Sequence, residues 1–206
     1  MKLAIFDFDS TLMDGETLSI LGKEMGLEEK ISAITKKAMA GEMDFFESLL
    51  LRTKLLQGLD YAQVLEICSS LPLITGAKEI IPALQNLGYV CICFSGGFDI
   101  ATEPLRQRIG MDATFANTLH HKDGKLSGLV GGSMMFADSK GVMLQKLQQT
   151  FGISRQNTLV VGDGANDISM FLHAKTRVAF CAKPVLKPHA NIIIDTKDLT
   201  QILTHL

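Results

Sequence analysis

Five short apolar runs recur along the chain, at residues 3–8, 89–94, 158–161, 177–180 and 192–194. Apolar residues fill both alternating sets in these runs, which predicts strands buried on both faces. Helical periodicity separates most of them, near 80–87, 100–108, 141–150, 168–174 and 199–205. Buried strands alternating with helices predict an α/β fold: a Rossmann-like, three-layer parallel sheet with helices on both sides. In such sheets ligands sit beyond the carboxyl ends of the strands. Polar clusters at 7–11, 95–99 and 162–167 each end or follow an apolar run.

Residues 14–71 break the alternation. The pattern there is helical throughout and holds no convincing strand, so it reads as a cap inserted into a core of residues 1–13 and 72–206. A helical layer of the main core is the other reading. Asp60 to Gln63 has the form of a capping box, with Asp60 accepting from the Gln63 amide and Gln63 reaching back. Asp123-Gly124, between extended residues, is a hairpin signal. Lys175 stands where a left-handed helix cap would cost about 1 kcal/mol.

Composition narrows the classes. The chain has 206 residues, 47% of them hydrophobic, and a formal net charge of −2. A core is feasible, and no basic footprint for nucleic acid or an anionic membrane is present. The apolar start runs into Asp7 and Asp9 too soon for a signal peptide, and no apolar run is of membrane-spanning length. None of the four cysteines forms a CxxC pair, so buried free thiols in a cytoplasmic chain are expected.

Four clusters carry chemistry. Asp7 and Asp9, at i and i+2 on an extended strand, share a face with Phe8 opposite. Two anions that close repel unless a cation intervenes, and oxygen-only ligands point to Mg²⁺. Ser95-Gly96-Gly97 can offer a hydroxyl and bare amides to an anion. Lys140 lies near a helix start, where its charge is unfavourable to the dipole. Gly162-Asp163-Gly164-Ala165-Asn166-Asp167 suits a hard cation, or a polar loop ending in a helix cap. Each is weak alone. In this order, three of them at strand ends, they supply nucleophile, proton carrier, anion cradle, cation and metal ligands for phosphoryl transfer.

Together these motifs resemble the haloacid dehalogenase superfamily and, within it, the phosphoserine phosphatases. The resemblance runs over nearly the whole chain and includes the helical insertion. It implies that Asp7 is the nucleophile and Asp9 the general acid and base. It implies Mg²⁺ held by the Asp7 carboxylate, the Asp9 carbonyl and Asp163, with Asp167 further out. Ser95, Gly96 and Lys140 would hold the phosphoryl oxygens, and Asn166 would orient substrate. In the insertion Glu16, Met39, Phe45 and Arg52 match substrate-binding positions, with O-phospho-L-serine the implied ligand. Another small phosphate ester, or a phosphotransferase acceptor, is the alternative. Receiver domains share such a cluster but lack an acid two residues after the nucleophile and an inserted cap. Phe46, Leu50 and Leu51 make the stretch before Arg52 unusually apolar. They would pack the cap on the core or form a homodimer surface.

Overall fold

The computed structural model describes residues 1–206, the side chain of Met39 excepted. Seven strands form one sheet: β1 (Lys2–Asp7), β2 (Tyr89–Phe98), β3 (Ala113–Lys122), β4 (Lys125–Gly132), β5 (Thr158–Gly162), β6 (Thr176–Phe180) and β7 (Ile192–Ile194). Their order is β4-β3-β2-β1-β5-β6-β7, and only the β3–β4 pair is antiparallel. The chain leaves β1 for β2 on one side and later returns to β5 on the other. That reversal of direction beside β1 opens a crevice at the carboxyl ends of β2, β1 and β5.

The parity of β1 explains what points where. Ala4 and Phe6 enter one apolar cluster, and Leu3 and Ile5 enter the cluster on the opposite face. Asp7 follows the parity of Leu3 and Ile5, toward the face that also buries Leu144 and Met170. The α-helices of the core are α5 (Ala77–Asn86), α6 (Asp99–Ile109), α7 (Ser139–Phe151) and the single turn α8 (Ile168–Phe171). The last helical segment, Leu199–His205, is a 3₁₀-helix, a tighter winding than the expected α-helix. The hairpin turns at Asp123 and Gly124, with φ of 52° and 75°. Both residues are left-handed, as an Asp-Gly turn of type I′ requires.

Between β1 and α5 lie α1 (Thr17–Lys23), α2 (Glu28–Met39), α3 (Phe45–Leu55) and α4 (Tyr61–Ser69). The strands of chain leading in and out are paired: Asp14 N–H donates to the Pro72 carbonyl and Ile74 N–H to the Leu12 carbonyl, both at 3.0 Å. The α3–α4 turn is also tied to the hairpin, by Gly58 N–H to the Leu126 carbonyl and Tyr61 N–H to the Gly124 carbonyl. The Tyr61 and His121 rings stack at 3.7 Å beside those bonds. Leu21, Ile31, Leu49 and Val64 of these helices join the same apolar cluster as Phe6 and Phe8. The interior of the insertion is therefore continuous with that of the sheet.

Three local expectations are corrected. Asp60 caps α4 through the Gln63 amide at 3.1 Å, but the Gln63 side chain reaches Glu24 at 2.7 Å rather than turning back. The donation from Gln63 Nε2 to Glu24 turns the side chain away from the Asp60 amide, so the box stays half formed. Lys175 is absent from the left-handed residues, because α8 already ends at Phe171. Cys68, Cys91 and Cys93 are buried free thiols, whereas Cys181 is exposed in the turn after β6. Of the apolar stretch, Phe46 stacks on Phe136 of the core at 5.1 Å, while Leu50 and Leu51 stay 39% and 45% exposed.

Candidate active site

The crevice at the β2–β1–β5 ends holds a cavity lined by Asp7, Asp9, Gly96, Gly97, Asp163 and Asn166 from the sheet side. Glu16, Thr17, Leu18, Phe45 and Arg52 close it from the helical insertion. Lys140, from the first turn of α7, reaches beneath the floor. Its ammonium bonds Asp7 Oδ1 and, at 2.6 Å, Asp167 Oδ1. Burial works against the Lys140 charge, but Asp167 and Asp7 outweigh it and hold the lysine more firmly protonated than usual. A buried lysine at a helix start is tolerable because two carboxylates answer it.

Asp167 is spent on structure around it. Its Oδ2 accepts from the Asp163 and Gly164 amides at 2.9 and 3.0 Å. Gly162 is required there, since a Cβ would stand 2.4 Å from the Asp167 carboxyl carbon. Ser95 is fully buried, and its hydroxyl accepts from the Gly97 amide at 2.9 Å. That bond lies in the last part of β2, where the pairing with β3 shifts register between Phe94 and Phe98. Asn117 fixes this stretch from outside, donating to the Gly96 carbonyl at 3.1 Å. The Phe45 ring lies directly on Gly96, where a Cβ would come within 2.6 Å of Cζ.

Asp9 sits past the end of β1, and one of its oxygens is held by the insertion. Thr17 donates to Oδ1 through both its amide, at 2.7 Å, and its hydroxyl, at 2.6 Å. Oδ2 is left facing Gly97. Burial raises the Asp9 carboxyl above its usual range, with the Thr17 bonds pulling the other way. A carboxyl with one anchored oxygen and a raised pKa suits proton transfer.

Glu16 and Arg52 face the cavity with few partners of their own. Among the described residues, the Glu16 carboxyl accepts from the Ser10 hydroxyl alone, at 3.1 Å. Burial first, then Asp9 and Asp163, push its carboxyl up to about 8. Arg52 donates to the Ser48 carbonyl at 3.1 Å and the Thr35 hydroxyl at 3.0 Å, with no carboxylate bonded among the described residues. Met39 closes α2, but its side chain lies outside the described residues. Asn166 lines the cavity, and its Oδ1 is buried without a hydrogen-bond partner among the described residues.

The donor set fits a divalent cation. Asp7, Asp163 and Asp167 each offer an oxygen within 4.8 Å of the others, all buried. Five carboxylates (Asp7, Asp9, Glu16, Asp163, Asp167) face three cations (Arg52, Lys140, Lys183) across the site. Burial, Asp167 and Asp163 together raise Asp7 well above its usual range despite Lys140. Burial likewise raises Asp163 against the pull of Lys183. Oxygen-only ligands with this excess of negative charge match a hard divalent ion.

Two contributors escape the sequence motifs: Thr17, which holds Asp9, and Lys183, whose ammonium bonds Asp163 Oδ2 at 2.6 Å. Lys183 does follow the end of an apolar strand, the signal that picked out the other clusters.

This arrangement is that of a known class of hydrolase. The haloacid dehalogenase-like hydrolase family model matches residues 1–175, and the chain belongs to that family. Within it, a phosphoserine phosphatase of Wolinella succinogenes is 58% identical over 206 residues, covering the whole of both chains. A solved phospho-aspartyl intermediate analogue of phosphoserine phosphatase superposes with a TM-score of 0.96 at 45% identity, covering 100% of this chain and 98% of that one. A substrate-bound phosphoserine phosphatase gives the same values. No helix among the described residues is long and apolar enough to cross a membrane.

Proposed function

We propose that this chain hydrolyses O-phospho-L-serine to L-serine and phosphate, the last step of serine biosynthesis in the cytoplasm. The observation that carries the reading is one cavity in which Asp7 and Asp9 meet an uncommitted Glu16 and Arg52. Phosphoserine carries an ammonium and a carboxylate besides its phosphate. Glu16 answers the first, and Arg52, whose planar fork matches a carboxylate, the second. Residues 14–71 act as the specificity cap on a core of 1–13 and 72–206, and Phe45 gives an apolar contact from the cap.

Asp7 attacks phosphorus, and the bond from phosphorus to the seryl oxygen breaks. Asp9 gives its proton to that oxygen, and serine leaves. The product is a phosphoryl group on Asp7. Asp9, now ionised, takes a proton from a water that attacks the same phosphorus, releasing phosphate and restoring Asp7. Ser95, the Gly96 amide and Lys140 hold the oxygens in flight, and the Asn166 acceptor orients the substrate. The Asp7 and Asp163 carboxylates and the Asp9 carbonyl would hold Mg²⁺, with Asp167 beside them. When bound, the ion supplies the positive charge that lets a carboxylate approach a phosphate dianion.

The test is phosphate release from a panel of small phosphate esters, with Mg²⁺ and with chelator. Phosphoserine should lead the panel by kcat/KM, and chelator should stop all turnover. Equal rates on phosphoserine and simple alkyl phosphates would remove the substrate assignment and leave a general phosphatase.

A further inference from the structure

β6 ends at Phe180, and Cys181 then turns the chain with a φ of 43°. The Cys181 amide fixes that turn by donating to the Ile194 carbonyl at 2.7 Å. The chain is thereby sent back toward the end of β5, where Lys183 meets Asp163 twice. The Lys183 amide donates to the Asp163 carbonyl at 2.8 Å. Its ammonium donates to Asp163 Oδ2 at 2.6 Å. One residue thus grips both the backbone and the carboxylate of Asp163.

The other two acids of the buried triad are held in a similar way. Lys140 fixes Asp7 and one oxygen of Asp167, and two amides fix the other oxygen of Asp167. Without Lys183 the Asp163 carboxylate would have no side-chain bond among the described residues. A carboxylate whose Oδ2 is anchored has the direction of Oδ1 set as well. The geometry points to Lys183 as a positioning residue that aims the Asp163 carboxylate at the divalent cation, an inference that rests on the function proposed above. A cation beside a metal ligand can also act as a competitor for it. The doubled grip favours the aiming role, since a mere competitor needs no backbone bond and a carboxylate has a second oxygen to give. Burial disfavours the Lys183 charge, but Asp163, then Glu16 and Asp7, keep it protonated, so no proton moves in this role.

Lys183 also lines an outer cleft with Ser10, Thr35, Lys36 and Lys197, and its side chain is 32% exposed. A substitution there leaves the apolar interior untouched. The experiment is a Mg²⁺ titration without substrate, read by thermal unfolding and by calorimetry, on the wild type, Lys183→Met and Lys183→Arg. Outer ligand partners are typically worth about 10- to 100-fold in metal affinity. Lys183→Met should raise the Mg²⁺ midpoint by about that factor, and Lys183→Arg, which keeps charge and donor, should recover most of it. If Lys183→Met does not fold, Lys183→Gln carries the same expectation. A lower metal-free Tm with an unmoved Mg²⁺ midpoint would overturn the inference and make Lys183 structural. A tighter midpoint would overturn it too and make Lys183 a competitor. A wild type that binds no divalent cation would instead bring down the functional reading itself.

Discussion

In the strand-end cradle, charged side chains are answered from within the protein. Lys140 meets Asp7 and Asp167, Lys183 meets Asp163, and Asp167 also takes two amides. In the helical insertion, Arg52 meets a carbonyl and a hydroxyl, and Glu16 meets one hydroxyl. Both regions bury charge, but only the first balances it locally. The cradle is assembled before any ligand arrives, which is what electrostatic stabilisation of a transferring phosphoryl group needs. The insertion holds a carboxyl and a guanidinium with few partners, which a ligand carrying an ammonium and a carboxylate would satisfy on the proposed function. On the proposed function, chemistry and selectivity divide between the two regions, with Thr17 joining them at Asp9.

Substitutions can break this division, beginning in the cradle. Asp7→Asn should abolish turnover and phospho-enzyme together, since it removes the proposed nucleophile. Asp9→Asn should lower kcat by about 10²–10⁴, the usual worth of positioned acid–base help, with an unchanged far-UV spectrum. Near-normal turnover would remove Asp9 from the mechanism. Arg52→Ala comes next and sharpens the comparison. Truncating one partner of a buried charged contact costs about 2–5 kcal/mol. The loss in kcat/KM should fall on phosphoserine and spare an aryl phosphate. Equal losses on both substrates would make Arg52 structural.

The two regions also differ in how far the sequence reveals them. Asp7, Ser95 and Asp163 were legible because strands buried on both faces are apolar throughout, so a polar residue at their end marks the crevice. Lys140 needed the family pattern, since a lone lysine on a helix carries no such marker. The insertion was legible as helices but not in its packing. Periodicity gives the buried face of a helix and not the surface it meets, so the continuity of Leu21 and Leu49 with Phe6 was hidden. Thr17 went unseen beside the charged Glu16. Lys183 follows the end of an apolar strand, but its grip on Asp163 depends on the left-handed turn at Cys181, which no residue preference announces.

A smaller effect concerns pH. The Glu16 carboxyl lies at about 8 in the folded chain, against an ordinary value of 4.5. The folded state keeps this proton where the unfolded state has lost it. Its contribution to stability is therefore full below pH 4.5 and is lost as pH rises through about 8. Asp7, Asp9 and Asp163 are raised as well and slope the same way. Metal-free Tm should fall across this window, and Glu16→Gln should flatten part of the slope. A slope unchanged by that substitution would show that Glu16 is ionised in the free enzyme. The smallest effect is at the seam between the regions. Phe46→Ala removes the stack on Phe136, worth about 0.5–1.5 kcal/mol beyond area burial, and should lower Tm slightly while sparing kcat.

The central claim is that phosphate passes from serine to Asp7 and then to water. Radiolabelled phosphoserine, mixed with the Mg²⁺-loaded enzyme and quenched in acid within one turnover, tests it directly. After digestion the label should lie on the peptide containing Asp7 and be released by hydroxylamine, as an acyl phosphate is. Rapid phosphate release with no label on the protein, or label on Ser95 instead, would contradict the account.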